Sequence, residues 1–384
     1  MSYQNVLKPR FFIDYLSYWN SIGLIKNISC NPDANITGNF LGIDPSSRFV
    51  VYGNPDANNN MSLFIDFNED LNVRALETIN YLSVLGHNFG KMYEDATSTA
   101  FRINMMKHDS GNNQTHFRGA FTQANAEEDR NILNAEHINL GAGLDNYTSI
   151  DENLNGCSIS KINANFHNDP DVNRFTMMLK QYNADGSVSG SKTFFANSIQ
   201  LGHFYDMPVS PDLDIEMEIE FDGFDSQTTI GGSTLTNVKY YGNPMWNDLN
   251  AWEVGHKSDN YYRRNGRRKW NLKFGFIADE DLFASNYSTT NFLSNTGDNS
   301  GYNSADIETS ENGDVFANTL ADDNSFHSRV LNYIGNGQRF IFQPNSDNNN
   351  PDQFAVCVLD QDSISINQVA FKSYEMSLKI KEVW

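Results

Sequence analysis

Five carboxylates alternate with apolar side chains in one short stretch: Asp212, Asp214, Glu216, Glu218 and Glu220 against Leu213, Ile215, Met217, Ile219 and Phe221. Period-two alternation marks a β-strand with one face in a core and one face out. Several kinds of chemistry are open to such a row. Two of its carboxyls could act as acid and base, as in glycosidases, where the pair stands roughly 5–9.5 Å apart. Any neighbours on one strand face meet that spacing, and an exposed row lacks the desolvation that tunes a catalytic carboxyl. The row could instead bind cations, or pair with a basic strand. Further along, Arg263, Arg264, Arg267, Arg268 and Lys269 form a basic cluster. It leads into Trp270, Leu272, Phe274 and Phe276, which alternate with Lys273 and polar or small residues. Opposite charges across a strand pair are favourable by roughly 0.2–1 kcal/mol each. The expectation is a sheet with a charged outer face, the acidic strand beside the basic one. In a chain of net charge −21 the basic cluster is expected to dock an acidic neighbour, in the same or an adjacent subunit, and not nucleic acid.

Other residues could also make contacts. His87 and Asn88 could present an imidazole and an amide at a strand end for a sugar or a metal. Equally, they could form a structural turn that Gly86 permits and Asn88 caps. The Asp/Asn clusters at 54–60, 145–155 and 345–352 could hold Ca²⁺, though none has EF-hand spacing and Asn-rich turns account for them too. No other cofactor is expected. Trp246 and Trp252 bracket a loop before the basic strand and join the candidates for partner contact. Phe12, Tyr15, Leu16, Trp19 and Ile22 recur at helical spacing within residues 8–25, and Gly23 could end that helix. Either the helix packs on its own domain, or it is an arm docked on a neighbouring subunit. The histidines show no His-Glu-x-x-His spacing, and the chain lacks a Gly-x-Ser-x-Gly, a P-loop and a dinucleotide fingerprint. The sequence therefore names no reaction, and a non-enzymatic role is expected.

The elements that must position these residues are strands. Aromatic residues make up 13% of the 384 and fall in short runs, while Asn and Asp crowd the segments between them. That favours strands joined by long polar loops over helices. A pI near 4.6 argues against nucleic acid and against an anionic membrane surface. Three cysteines, Cys30, Cys157 and Cys357, make neither a disulfide framework nor a zinc site, and are expected to be small core residues in a reducing cytoplasm. The start of the chain has no signal-peptide pattern, and no apolar run reaches membrane-span length. Length suggests more than one domain. The divisions expected are an aromatic arm over 1–35, a sandwich over 36–197, and a second sandwich over 198–384 with a loop insertion at 284–328.

Three blocks carry a resemblance. Residues 36–200, through Ile65-Asp66-Phe67, then Asn80-Tyr81-Leu82-Ser83-Val84-Leu85-Gly86-His87-Asn88-Phe89 and Phe101-Arg102-Ile103, resemble the galactose-binding-like jelly-roll modules of tailed-phage virion proteins. The second block holds Gly202-His203-Phe204-Tyr205-Asp206-Met207-Pro208, Ser210-Pro211-Asp212-Leu213, Gly266-Arg267-Arg268-Lys269-Trp270 and Asp281-Leu282-Phe283. It resembles structural proteins of such phages, especially aquatic ones. Over 338–384, the strands Phe340-Ile341-Phe342-Gln343-Pro344 and Ala355-Val356-Cys357 and the ending Glu382-Val383-Trp384 look like the C-terminal β-domain of minor tail proteins. The resemblance implies an all-β virion structural protein of two jelly-roll-like sandwiches, in the tail or baseplate, acting as an adaptor or fibre attachment. Its partners would be other virion proteins and copies of itself. Host-surface glycan recognition is the alternative, with a capsid or head–tail decoration role and a glycoside hydrolase also open.

Overall fold

In the computed structural model the chain is built almost wholly from antiparallel strands. It describes residues 6–31, 35–37, 40–43, 49–52, 60–71, 79–88, 100–109, 114–117, 137–139, 155–161, 172–182, 193–213, 215–221, 224–238, 245–246, 249–250, 266–283, 325–335, 337–348 and 353–383. The first half holds β1 Arg10–Asp14, β2 Ile25–Asn31, β3 Asn35–Thr37, β4 Phe49–Tyr52, β5 Asn60–Leu71, β6 Tyr81–Asn88, β7 Ala100–Asp109, β8 Gln114–Phe117, β9 His137–Asn139, β10 Asn155–Lys161, β11 Val172–Tyr182 and β12 Thr193–Ala196. The second holds β13 Ser198–Asp206, β14 Glu216–Glu220, β15 Phe224–Thr228, β16 Thr234–Val238, β17 Met245–Trp246, β18 Leu249–Asn250, β19 Arg267–Ala278, β20 Phe340–Gln343, β21 Ala355–Leu359, β22 Ile366–Ala370 and β23 Ser373–Glu382. The all-β expectation holds.

One large sheet runs β14-β19-β23-β21-β20-β1-β13-β6-β10-β9, with β22 beside β23. A second runs β2-β5-β11-β7-β8, and a third β12-β4-β3. The large sheet crosses the expected division at residue 197. Its strand β13 pairs with β6 over Ser198–Gly202 and with β1 over Gly202–Asp206. At Gly202 both neighbours are present, and a Cβ there would overlap the carbonyl oxygen of Ile13. The four C-terminal strands that the sequence suggests as a meander are present as β20 to β23, but not in meander order: β21 pairs with β20 and β23, and β22 pairs with β23 instead of with β21. Strands β7, β8 and β9 reach into the polar, Asn/Gly-rich stretch 107–150, whose composition suggests a long loop. Of the expected insertion, 284–324 lies outside the described residues, while Ser325 and Phe326 are buried at the start of a π-helical turn, His327–Leu331.

The N-terminal segment departs most from its sequence pattern. Only Tyr15–Ser21 is helical, as α1. Residues Arg10–Asp14 form a strand between β13 and β20, so the arm is the middle of the sheet. Both its faces are covered. Phe11 packs on Phe326, Phe340 and Phe342 at centroid distances of 5.4–5.7 Å. Phe12 packs on Tyr81 at 5.2 Å, and on Phe204 and Phe354. Asp14 then stops the strand and starts the helix. Its carboxylate accepts the backbone N–H groups of Leu16 and Ser17 and the Ser17 hydroxyl, satisfying donors that a helix start leaves open. Gly23, at φ +77°, follows the last turn. Its own N–H bonds the Asn20 carbonyl, and that of Leu24 the Trp19 carbonyl. Trp19 reaches the second sheet, meeting Phe67 on β5 and Phe175 on β11. The buried side chains of both sheets therefore form one core.

Candidate assembly interface

The acidic and basic strands do lie side by side. In the β14–β19 register Glu216 faces Asn271, Glu218 faces Lys269 and Glu220 faces Arg267. The Lys269 ammonium stands 3.1 Å from the Glu220 carboxylate and 3.6 Å from Asp360, and Lys381 stands 2.7 Å from Glu220. The hydrogen bond from Lys381, joined by that from Lys269, holds the Glu220 carboxyl below its ordinary range, against a smaller push from burial. Hydrogen bonding to Glu220 raises Lys269 in turn. Glu216, Glu218, Lys269, Asn271, Asp360 and Lys379 line a depression of about 180 Å³ on this outer face. Its rim carries both anionic and cationic groups.

The opposite face of β14 differs from expectation. Ile215 and Met217 rest against the core, but Leu213 is wholly exposed, Ile219 is 52% exposed and Phe221 59%. Among the described residues β14 is the last strand on its side of the sheet, and the buried core does not extend beneath Ile219 and Phe221. Phe276 is also exposed, although Trp270, Leu272 and Phe274 are buried as expected. The β19–β23 register shifts between Phe274 and Ile277, and an extra residue in a strand reverses the side-chain alternation. Gly275, at this bulge, receives the Asp212 carboxylate on its backbone N–H at 3.2 Å.

The basic cluster divides. Arg268 is turned inward, stacked over the Trp270 ring and hydrogen-bonded to Glu382 at 2.9 Å and to the Phe354 carbonyl at 3.0 Å. The Glu382 side chain is only 1% exposed. Burial raises its carboxyl above the usual range, and the guanidinium of Arg268 works against that. Arg267 is half-buried beside β14, and Arg263 and Arg264 lie outside the described residues.

Phe12, Tyr15 and Trp19 are buried in their own chain, which settles their two readings in favour of internal packing. His87 and Asn88 belong to β6 and not to a turn. They follow a register shift against β10, where Gly86 has φ +65°, and their side chains lie outside the description. Trp246 pairs with Leu249 in the short β17–β18 hairpin, its side chain likewise outside, as is Trp252. Among the described residues no three His, Cys, Asp or Glu side chains converge as a metal site. The described part of the 345–352 cluster is a turn in which the Asn345 side chain accepts the Asp347 N–H at 3.1 Å. The 54–60 and 145–155 clusters fall almost entirely outside. Cys357 is buried in the core.

Two features escaped the sequence reading. Glu382 sits on the same alternation as Met376, Leu378 and Ile380, and that period placed it inside. The Gly231-Gly232-Ser233 stretch marks a turn, and it joins β15 to β16, but nothing in the sequence shows that the hairpin is exposed on both faces. The chain matches no protein-family model and no curated protein sequence.

Proposed function

We propose that this chain is a structural component of a tailed-phage virion, working by assembly with other virion proteins and with copies of itself, as a tail or baseplate adaptor or fibre-attachment protein. The observation that carries the reading is the edge of the large sheet. There, β14 and β19 present rows of carboxylates and ammonium groups beside the exposed Ile219, Phe221 and Phe276. Charged rows fix register and exclude wrong partners, while exposed apolar side chains at their margin supply the burial that holds a complex. The sequence resemblance over 198–283 and 338–384 supports the virion setting. Immunogold labelling of purified particles with antibody to this chain tests it. Gold at the tail or baseplate is expected, and particles free of the chain would overturn the reading.

The polar depression beside Lys269 and Glu218 favours a second reading, recognition of a host-surface glycan. A glycan array probed with the purified chain separates the two, since binding that is lost in Lys269→Ala would support it.

A further inference from the structure

We infer that the β15–β16 hairpin of one copy of this chain adds β16 onto the free edge of β14 in a second copy, continuing the large sheet from copy to copy. The inference rests on the assembly reading above and names its partner and contact.

The hairpin stands apart from its own fold. Residues 225–237 are exposed on both faces, and among the described strands β15 and β16 pair only with each other. A lone two-stranded hairpin is marginal in water, yet this one is firmly closed. The Thr229 N–H donates to the Ser233 carbonyl at 2.8 Å, the Ser233 N–H to the Thr229 hydroxyl at 3.1 Å, and Gly232 takes φ +81° to complete the turn. An arm shaped in advance loses little entropy on docking.

The docking place is the outer edge of β14, which has no strand partner among the described residues. Such an edge is a template for another strand, and charge decides which. Glu216, Glu218 and Glu220 recur at every second residue, so β14 laid on a second β14 would set carboxylate against carboxylate, which is destabilising. Strand β16, Thr234-Leu235-Thr236-Asn237-Val238, carries no charge, and its threonine hydroxyls can donate to carboxylates. In a chain of net charge −21, another copy's acidic edge accepts an uncharged strand more readily than a charged one. Of the exposed uncharged strands, β22 already lies on β23, whereas β16 pairs only with β15 among the described strands. Both surfaces also expose large apolar side chains: Ile219 and Phe221 on the edge, Ile230 and Leu235 on the arm.

Connectivity makes the contact intermolecular. Only residues 221–223 join β14 to β15. Within one chain β15 would fold back first and stand between β14 and β16, so the free edge of β16 can meet only a neighbour's β14. Each copy then gives one arm and accepts one, a heterologous contact that closes into a ring or runs on as a filament.

Mass photometry and sedimentation velocity of the full chain test this. Wild type is expected to assemble beyond the dimer. The arm variant Ile230→Asp/Leu235→Asp and the edge variant Ile219→Asp should each be monomeric, with the melting temperature of the wild type. Because Ile219 also faces Arg268, Phe221→Asp serves as a second edge variant. Mixing the arm variant with an edge variant restores one sound edge facing one sound arm, and should give a dimer and nothing larger. A wild type that stays monomeric at ~100 µM, well above the micromolar affinities usual for standard-sized interfaces, would overturn the inference. So would an arm variant that assembles like wild type, or a mixture that yields no dimer. An arm variant that still assembles removes this contact and leaves the virion reading standing, which only the labelling of particles can remove.

Discussion

Arg268 and Lys269 are sequence neighbours with opposite fates. Arg268 neutralises the buried Glu382, and removing one member of a buried ion pair costs roughly 3–5 kcal/mol because the other charge is left uncompensated. Lys269 bridges Glu220 and Asp360 near the surface, where such pairs contribute about 0–1 kcal/mol. Arg268→Ala should therefore lower the urea midpoint sharply and Lys269→Ala hardly at all; equal midpoints would refute the inward assignment. Alternation alone sets Arg268 on the face of Trp270 and Glu382 on the face of Ile380, each two residues away; what it could not give is the ion pair between them, which depends on β19 lying beside β23. A single side chain also gives the fold a pH signature. Burial pushes the Asp14 carboxyl from its ordinary 3.8 to about 6, against the hydrogen bonds from Ser17 and Leu16. Between those values the folded chain holds a proton that the unfolded chain has lost, so the stability from this group is full below pH 3.8 and disappears as pH rises through 6. That difference corresponds to about 3 kcal/mol. Asp14→Asn keeps an N-cap and removes the titration. The wild type should therefore gain stability relative to Asp14→Asn as pH falls from 7 to 4, and parallel pH profiles would show that Asp14 is not so perturbed.

At the scale of elements, pattern settled pairing better than position. The charges of β14 and β19 foretold which strand lies beside which, because like charges two residues apart need opposite ones across the ladder. The same pattern could not show that β14 is the outermost of the described strands, and so it implies burial for Ile219 and Phe221, which the core does not reach. Nor could it show the bulge at Gly275–Phe276, since an inserted residue leaves the sequence alternation intact while turning the chain over. Residues 8–25 failed for a different reason. A short apolar run is compatible with strand and helix alike, and the strand assignment of Arg10–Asp14 depends on β13 and β20, both remote in sequence. The helix that does form matters for its reach: Trp19 is the ring through which α1 meets Phe67 and Phe175 of the second sheet. Trp19→Ala should cost about 3–5 kcal/mol, while the exposed Ile22→Ala, one turn on, should stay within roughly 0.5 kcal/mol. Similar losses at the two positions in chemical denaturation would mean that α1 does not join the sheets.

For the whole molecule, the consequence of β1 and β13 is that the chain's two halves fold as one. Residues 10–14 hydrogen-bond to 202–206 on one side and to 341–343 on the other, so the first strand made is completed only by the last part of the chain. The division read from sequence at 197 falls just before β13, in the middle of this sheet. Cutting there would leave β6 without its partner over Ser198–Gly202 and would open both sides of β20's neighbour position, exposing Phe11, Phe12, Tyr81 and Phe342 together. Fragments 1–197 and 198–384 expressed separately are therefore expected to aggregate or to lack near-ultraviolet dichroism, and deletion of residues 1–14 from the full chain should do the same. An exposed arm would be dispensable, since termini tolerate truncation unless their backbone is bonded in. Contacts this distant in sequence also predict slow refolding, because loop closure must precede the pairing that repays it. Two fragments that each melt cooperatively, or a truncated chain with the full chain's melting temperature, would divide the molecule where its sequence suggested and remove β1 from its centre.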